Sequence, residues 1–225
     1  MLDSAANMIQ LTQDESRVLG VLIEKALTTP DQYPLSLNAV VNGANQKNNR
    51  EPVLTMTEDQ CHDALESLRG KGVVVRVDVV GNRVPKYKHQ AGEALHARTG
   101  EVAVLAELLL RGPQTLGELR GRASRMHPME RLEAARDLLR ALMERPEPLA
   151  KQLPPDPGSR AERYAQLLCP DLHPINVKAA ERPTDRAERA PSNDRVTQLE
   201  SRVALLESQV KRLATALGHN LDAPG

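Results

Sequence analysis

Large aromatic side chains are nearly missing from this 225-residue chain: it has no Phe, no Trp and three Tyr, at Tyr33, Tyr87 and Tyr164. A core must come from Leu, Val, Ala, Ile and Met, and stacking platforms for single-stranded nucleic acid, which need several rings, are ruled out. Net charge is missing as well, since 30 Lys and Arg balance 30 Asp and Glu. No run approaches the roughly 18 consecutive apolar residues of a membrane span. The first ten residues carry neither a basic nor an apolar segment, so no signal peptide is expected. The two cysteines, Cys61 and Cys169, lie far apart and suit a reducing, cytoplasmic setting. Six scattered histidines have no metal-ligand spacing, so neither metal nor cofactor is expected.

Catalytic signatures are absent too. There is no nucleophile elbow, no P-loop and no dinucleotide-binding glycine motif. Cys61 and His62 adjoin on an expected helix and so point in different directions; Cys61 reads as a small buried hydrophobe. An enzyme is not expected.

What is present is a repeated set of helix signals. Thr12 with Glu15, Thr57 with Gln60 and Thr115 with Glu118 have capping-box spacing, in which hydroxyl and side-chain carbonyl satisfy orphan backbone N–H groups. The first box opens a helix carrying Val18, Leu19, Leu22, Ile23 and Ala26 at helical spacing and ending near Leu27, because Pro30 cannot continue it. Ser36 caps a short helix with Leu37, Val40 and Val41, and Thr57 opens a third with Cys61, Ala64, Leu65 and Leu68 on one face. Val73 to Val80 and Arg83 to His89 then read as a hairpin about Gly81-Asn82, with Pro85 marking the returning segment as an edge strand.

The order then recurs. Glu101 to Arg111, the helix opened by Thr115, and Glu130 to Glu144 read as three helices before a looser hairpin, Leu149 to Leu153 and Arg160 to Leu168. Pro34-x-Ser36-Leu37 matches Pro113-x-Thr115-Leu116, Leu65-x-x-Leu68 matches Leu139-x-x-Leu142, and Arg83-x-x-x-Tyr87 matches Arg160-x-x-x-Tyr164. The expected class is therefore α+β and mostly α: two tandem winged helix-turn-helix domains, residues 11–90 and 91–170. Residues 1–10 are expected to be a disordered N-terminus. Residues 171–193, charged and punctuated by Pro174, Pro183 and Pro191, read as a flexible linker. In 194–218, Val196, Leu199, Val203, Leu206, Val210 and Leu213 recur at alternating spacings of three and four. Val at a and Leu at d, with Arg195 and Arg202 placed to meet Glu200 and Glu207, predict a coiled-coil homodimer.

The residues also carry a resemblance. Arg17-Val18-Leu19-Gly20-Val21-Leu22-Ile23-Glu24-Lys25, Thr28-Thr29-Pro30-Asp31-x-Tyr33-Pro34, Asn45-Gln46-Lys47-x-Asn49-Arg50-x-Pro52-Val53 and Leu110-Arg111-Gly112-Pro113-Gln114-Thr115 resemble the YceH-like family of bacterial proteins. The resemblance spans Leu11 to about Leu168, implies two tandem winged-helix domains and implies no known activity. One departure is Met129, where relatives tend to carry an aromatic residue.

Two functions suit such a frame. In the first, a transcription-regulator-like protein holds double-stranded DNA through Lys47, Asn49 and Arg50 of the polar loop, Arg83, Lys86 and Lys88 of the wing, and Arg120 and Arg122 of the second half. Asn pairs with adenine edges, and Lys and Arg pair with phosphate. Against this, residues 12–90 hold ten basic and ten acidic side chains, residues 91–170 twelve and eleven, and the third helix starts with Glu58, Asp59 and Asp63. DNA-binding surfaces draw much of their affinity from phosphate neutralisation and need local basic excess. In the second, the chain is a protein-interaction adaptor, as in the ScpB-type subunits of bacterial condensin, and does not bind DNA. The first half's longer connections between helices mark its loops as the place for binding in either case.

Overall fold

The computed structural model describes residues 9–78, 84–156, 158–170 and 173. The heptad segment with its expected dimer contacts, nearly all of the linker, the Gly81-Asn82 turn and Arg83 lie outside the described residues. The described residues fall in one compact unit, and all elements below belong to it.

The fold is α+β, with helices predominating over two small antiparallel sheets. The first half runs α1 (Gln13–Thr28), a 3-10 turn (Pro30–Gln32), β1 (Leu35–Ser36), α2 (Leu37–Ala44), α3 (Glu58–Gly70), β2 (Val74–Val77) and β3 (Lys86–His89). A short α4 (Ala91–Ala94) leads to the second half: α5 (Thr99–Arg111), β4 (Gln114–Thr115), α6 (Leu116–Ala123), α7 (Leu132–Met143), β5 (Ala150–Leu153) and β6 (Arg163–Gln166). All three Thr capping boxes form, and Ser36 accepts the Ala39 N–H at the start of α2. Each satisfies N–H groups that a helix start leaves orphaned.

Both sheets have the same plan. Their orders are β1-β3-β2 and β4-β6-β5, with Tyr87 opposite Leu35 and Arg76, and Tyr164 opposite Gln114 and Gln152. The two tyrosines occupy equivalent central positions and both are buried. Leu65, Leu68, Leu139 and Leu142 are buried too, so the repeat seen in the residues is a repeat of the fold. The hairpins are thus three-stranded sheets, and β3 is a central strand, not an edge. Pro85 sits just before β3, where its missing N–H removes no ladder bond. Order also begins earlier than expected: Ile9 packs on the core, the Gln10 carbonyl accepts from Lys71 Nζ at 2.8 Å, and Leu11 N–H donates to the Leu168 carbonyl at 2.8 Å.

The cores of the halves are not separate. One cluster of buried side chains runs through both, and the contact between α1 and α5, the first helix of each half, is the most extensive between any two elements. Every residue from Glu15 to Glu24 in α1 and from Gly100 to Leu110 in α5 is buried. The helices approach closely at Gly20, where a Cβ would stand 2.9 Å from the Leu110 side chain. Aliphatic residues fill this core, with Tyr87 and Tyr164 as its rings.

Candidate functional site

Between α2 and α3 the polar loop is shaped by its own side chains. Asn45 closes it by donating to the Met56 carbonyl (2.8 Å) and accepting the Met56 N–H (2.7 Å). Inside, Arg50 has no exposed side-chain surface. Its guanidinium donates to both oxygens of Glu24 in α1 (3.2 and 2.5 Å), to the Gly43 carbonyl (3.1 and 2.9 Å), to the Asn49 carbonyl (2.8 Å) and to Gln46 Oε1 (3.1 Å). A guanidinium committed in this way has nothing left for phosphate, so Arg50 is not a DNA contact but a structural strut. Burial alone raises the Glu24 carboxyl, but Arg50 and Arg125 outweigh it and hold the group below its usual range.

The strut belongs to a ring of charges joining the halves. Arg125, just beyond α6, donates to Glu24 (2.6 Å) and to Glu107 of α5 (3.1 Å); Arg111 pairs with Glu107 (3.0 Å) and also donates to Asn49 Oδ1. Asn49 is held in the left-handed region at φ 61, which Asn tolerates better than most residues. Its Oδ1 is thereby engaged within the fold. Two further ties run from the same loop: Glu51 N–H donates to the Leu110 carbonyl (2.8 Å), and Arg17 Nη2 to the Pro52 carbonyl (2.6 Å). Arg17 is fully buried, and desolvation together with the nearby Arg50 lowers its guanidinium to about 10. Neither Glu24 nor Glu107 stands out in the sequence as a site residue. Their signal is a lone acid beside or within an apolar run, as in Val102-Ala103-Val104-Leu105-Ala106-Glu107-Leu108-Leu109-Leu110.

The other candidates divide. In α6, Arg120 donates to the Met129 carbonyl (3.3 Å), and Arg122 is bonded to Gln114 Oε1 (2.8 Å) and Glu118 (3.2 Å). Lys47 is exposed at the loop tip. In β3, Lys86 and Lys88 share the face opposite Tyr87, beside Val77 and Val75 of β2. Of the eight candidates, Arg50 is buried, Lys47, Lys88 and Arg120 are exposed, and Arg83 lies outside the described residues.

A different surface lies on α3. Cys61, Ala64, Leu65 and Leu68 face the core, and burial pushes the Cys61 thiol up to about 11. The outward side presents Glu58, Asp59, His62 and Asp63, with Glu66 half-buried. Glu66 pairs with Arg69 at 2.5 Å; Glu58 and Asp59 have no cationic partner among the described residues. Beside α3 an open groove of about 650 Å³ is bounded by Glu58, His62 and Glu66, by Leu37 at the start of α2, and by Val84, Pro85 and Tyr87 next to the hairpin. Val84 is 53% exposed. Among the described residues, no three His, Cys, Asp or Glu side chains gather to hold a metal ion, and no helix is long and apolar enough to cross a membrane.

The family model described as "Protein of unknown function, DUF480" matches residues 11–159. A UPF0502 protein of Pelobacter propionicus is 48% identical over 207 residues, covering 90% of this chain and 93% of its own. A UPF0502 protein of Shewanella oneidensis is 43% identical over 215 residues, covering 93% and 96%, and one of Geobacter sulfurreducens 46% over 200 residues, covering 88% and 90%. The match runs through the charged ring, the α3 groove and both sheets, and the chain belongs to the DUF480 family of UPF0502 proteins.

Proposed function

We propose that the chain is a non-enzymatic adaptor built from two fused winged helices, which docks a protein partner with its first half. The order helix, short strand, helix, helix, strand, strand, repeated in α1 to β3 and α5 to β6, supports the winged-helix reading. The observation that carries the adaptor reading is the outward face of α3. In DNA-binding relatives of this plan, that helix enters the major groove. Here its first two turns present Glu58, Asp59 and Asp63. Carboxylates there repel phosphate, while Arg50, counted toward DNA, is engaged inside the fold. In this reading the protein works in the cytoplasm as a homodimer joined through 194–218.

Lys86 and Lys88, side by side on one face of β3, favour the transcription-regulator reading as a second possibility. One titration separates the two. A fluorescently labelled mixed-sequence duplex is titrated with the full chain at low ionic strength, alongside a Lys86→Ala/Lys88→Ala variant. The adaptor reading expects no saturable binding by either. Saturable binding lost in the double variant overturns it and installs the wing as a DNA contact.

A further inference from the structure

We infer that the groove between α3 and the hairpin receives a basic segment of a partner protein, anchored by an apolar side chain and flanked by Lys or Arg. The inference rests on the adaptor reading above and specifies the chemistry of the partner.

The charge argument comes from which groups the fold already neutralises. Around the groove, Arg69 is paired with Glu66 (2.5 Å) and Arg76 with Asp78 (3.1 Å). Both arginines line the groove; among the described residues the unpaired carboxylate in its wall is Glu58, and Asp59 and Asp63 stand exposed on the adjoining face of α3. Glu58 and Asp59 have no cationic partner among the described residues, and the one contact of Asp63 is with His62 at 3.6 Å, an ion pair only when that imidazole is protonated. Helix-dipole compensation accounts for one or two acids in a first turn. It does not account for Asp63, beyond that turn. Unsatisfied carboxylates beside a concave surface steer cations toward it.

The apolar argument comes from Val84. Its side chain is one of three large hydrophobics exposed among the described residues, the others being Val53 and Leu132. Leu37, Pro85 and Tyr87 line the groove with it. An aliphatic side chain of a partner set against these four would remove apolar surface from water on both sides. A Lys or Arg flanking that anchor would then reach Glu58 in the groove wall, with its aliphatic stem covering the rim, and a second one further along would meet Asp59 or Asp63 on the adjoining face.

The chain's own linker is a poor occupant on the same charge criterion. Residues 171–193 hold four basic side chains (Lys178, Arg182, Arg186, Arg189) and four acidic ones (Asp171, Glu181, Asp185, Glu188). A separate segment with basic excess matches the groove better.

The test uses the full chain and a fluorescein-labelled synthetic peptide, Lys-Arg-Leu-Lys-Leu-Arg, read by polarisation. Two control peptides replace every basic residue by Glu or both leucines by Ser. Saturable binding of the first peptide is expected, with neither control saturating. Glu58→Lys/Asp63→Lys, both at exposed positions, should weaken it by about tenfold or more, and Val84→Ser by roughly threefold to tenfold. Raising the salt should weaken it further. Undiminished binding to the charge-reversed variant, or equal binding of the acidic peptide, overturns the inference. So does a charge-reversed variant whose mass in light scattering falls, because a second copy is then the occupant. Failure of the basic peptide to bind, without duplex binding, removes the basic-segment inference and leaves the adaptor reading standing. Duplex binding through Lys86 and Lys88 removes the adaptor reading itself.

Discussion

The two halves run through the same elements, yet the chain between α2 and α3 takes residues 45–57 while that between α6 and α7 takes only 124–131. The longer connection, apart from exposed positions such as Lys47 and Val53, turns inward. It folds back so that Arg50 meets Glu24, Asn49 meets Arg111, Glu51 meets the Leu110 carbonyl and Pro52 meets Arg17. The shorter one contributes Arg125 to the same ring. An elaborated loop on a rigid frame is often a binding site, but here it is the clamp that makes one body of two repeats. The hairpins differ as well. Arg163 of β6 is paired with Asp156 at 2.5 Å, whereas Lys86 and Lys88 of β3 have no acidic partner among the described residues.

The sharpest way to break this comparison is to remove the carboxylate on which both loops converge. Glu24→Gln leaves the fully buried Arg50 and its neighbour Arg125 without their shared anion, a loss of about 3–5 kcal/mol by the usual cost of breaking a buried pair. Urea unfolding should show it as a lower midpoint. Asp137→Asn, which removes an exposed pair with Arg140 on α7, should cost under about 1 kcal/mol. Equal losses for the two would mean that the ring does not hold the halves together.

Gly20→Val probes the helix contact itself. Its Cβ would fall 2.9 Å from the buried Leu110 side chain, and overpacking of this kind costs about 1–3 kcal/mol. Thermal unfolding should report a lower Tm.

A third difference is titratable. His89 of β3, paired with Val74, corresponds to Gln166 of β6, paired with Ala150. Burial, with Lys88 adding to it, lowers the His89 imidazole to about 4. Between about 6.5 and 4 the unfolded chain takes up a proton that the folded one refuses, so stability falls as pH drops through that window and the His89 share levels off below it. His89→Gln, which gives the first half the residue of the second, should flatten that part of the stability–pH curve. Glu24 has the opposite partnership but the same overall sign: its carboxyl is held low, so its contribution is lost as the solution becomes acidic enough to protonate it in the fold.

The smallest effect is a gain. Gly121 in α6 has open space where a Cβ would go, so Gly121→Ala should stabilise by up to about 1 kcal/mol and raise Tm slightly.

Much of the fold was legible because its signals are local. Thr12, Ser36, Thr57 and Thr115 each bond the backbone three residues on, so spacing alone locates four helix starts. The repeat was legible for the same reason: equivalent caps, leucine pairs and tyrosines stand at nearly constant offsets. β1 and β4 were not, because a two-residue strand has no periodicity and exists only through its partner, β3 or β6. The candidate site was the least legible part. Arg50 and Lys47 look alike in the sequence, as basic residues in one polar loop, yet one is fully buried and the other exposed.

By itself, then, the sequence determined the helices, the duplication and an aliphatic core, because caps, heptad-free amphipathic faces and composition act over a few residues. The tertiary structure alone decided that the two repeats share one core, that Arg50 is a strut, and that α3 turns an acidic face and a groove outward. The partners that settle those outcomes lie far apart along the chain: Glu24 is 26 residues from Arg50 and 101 from Arg125, and only folding brings the three together.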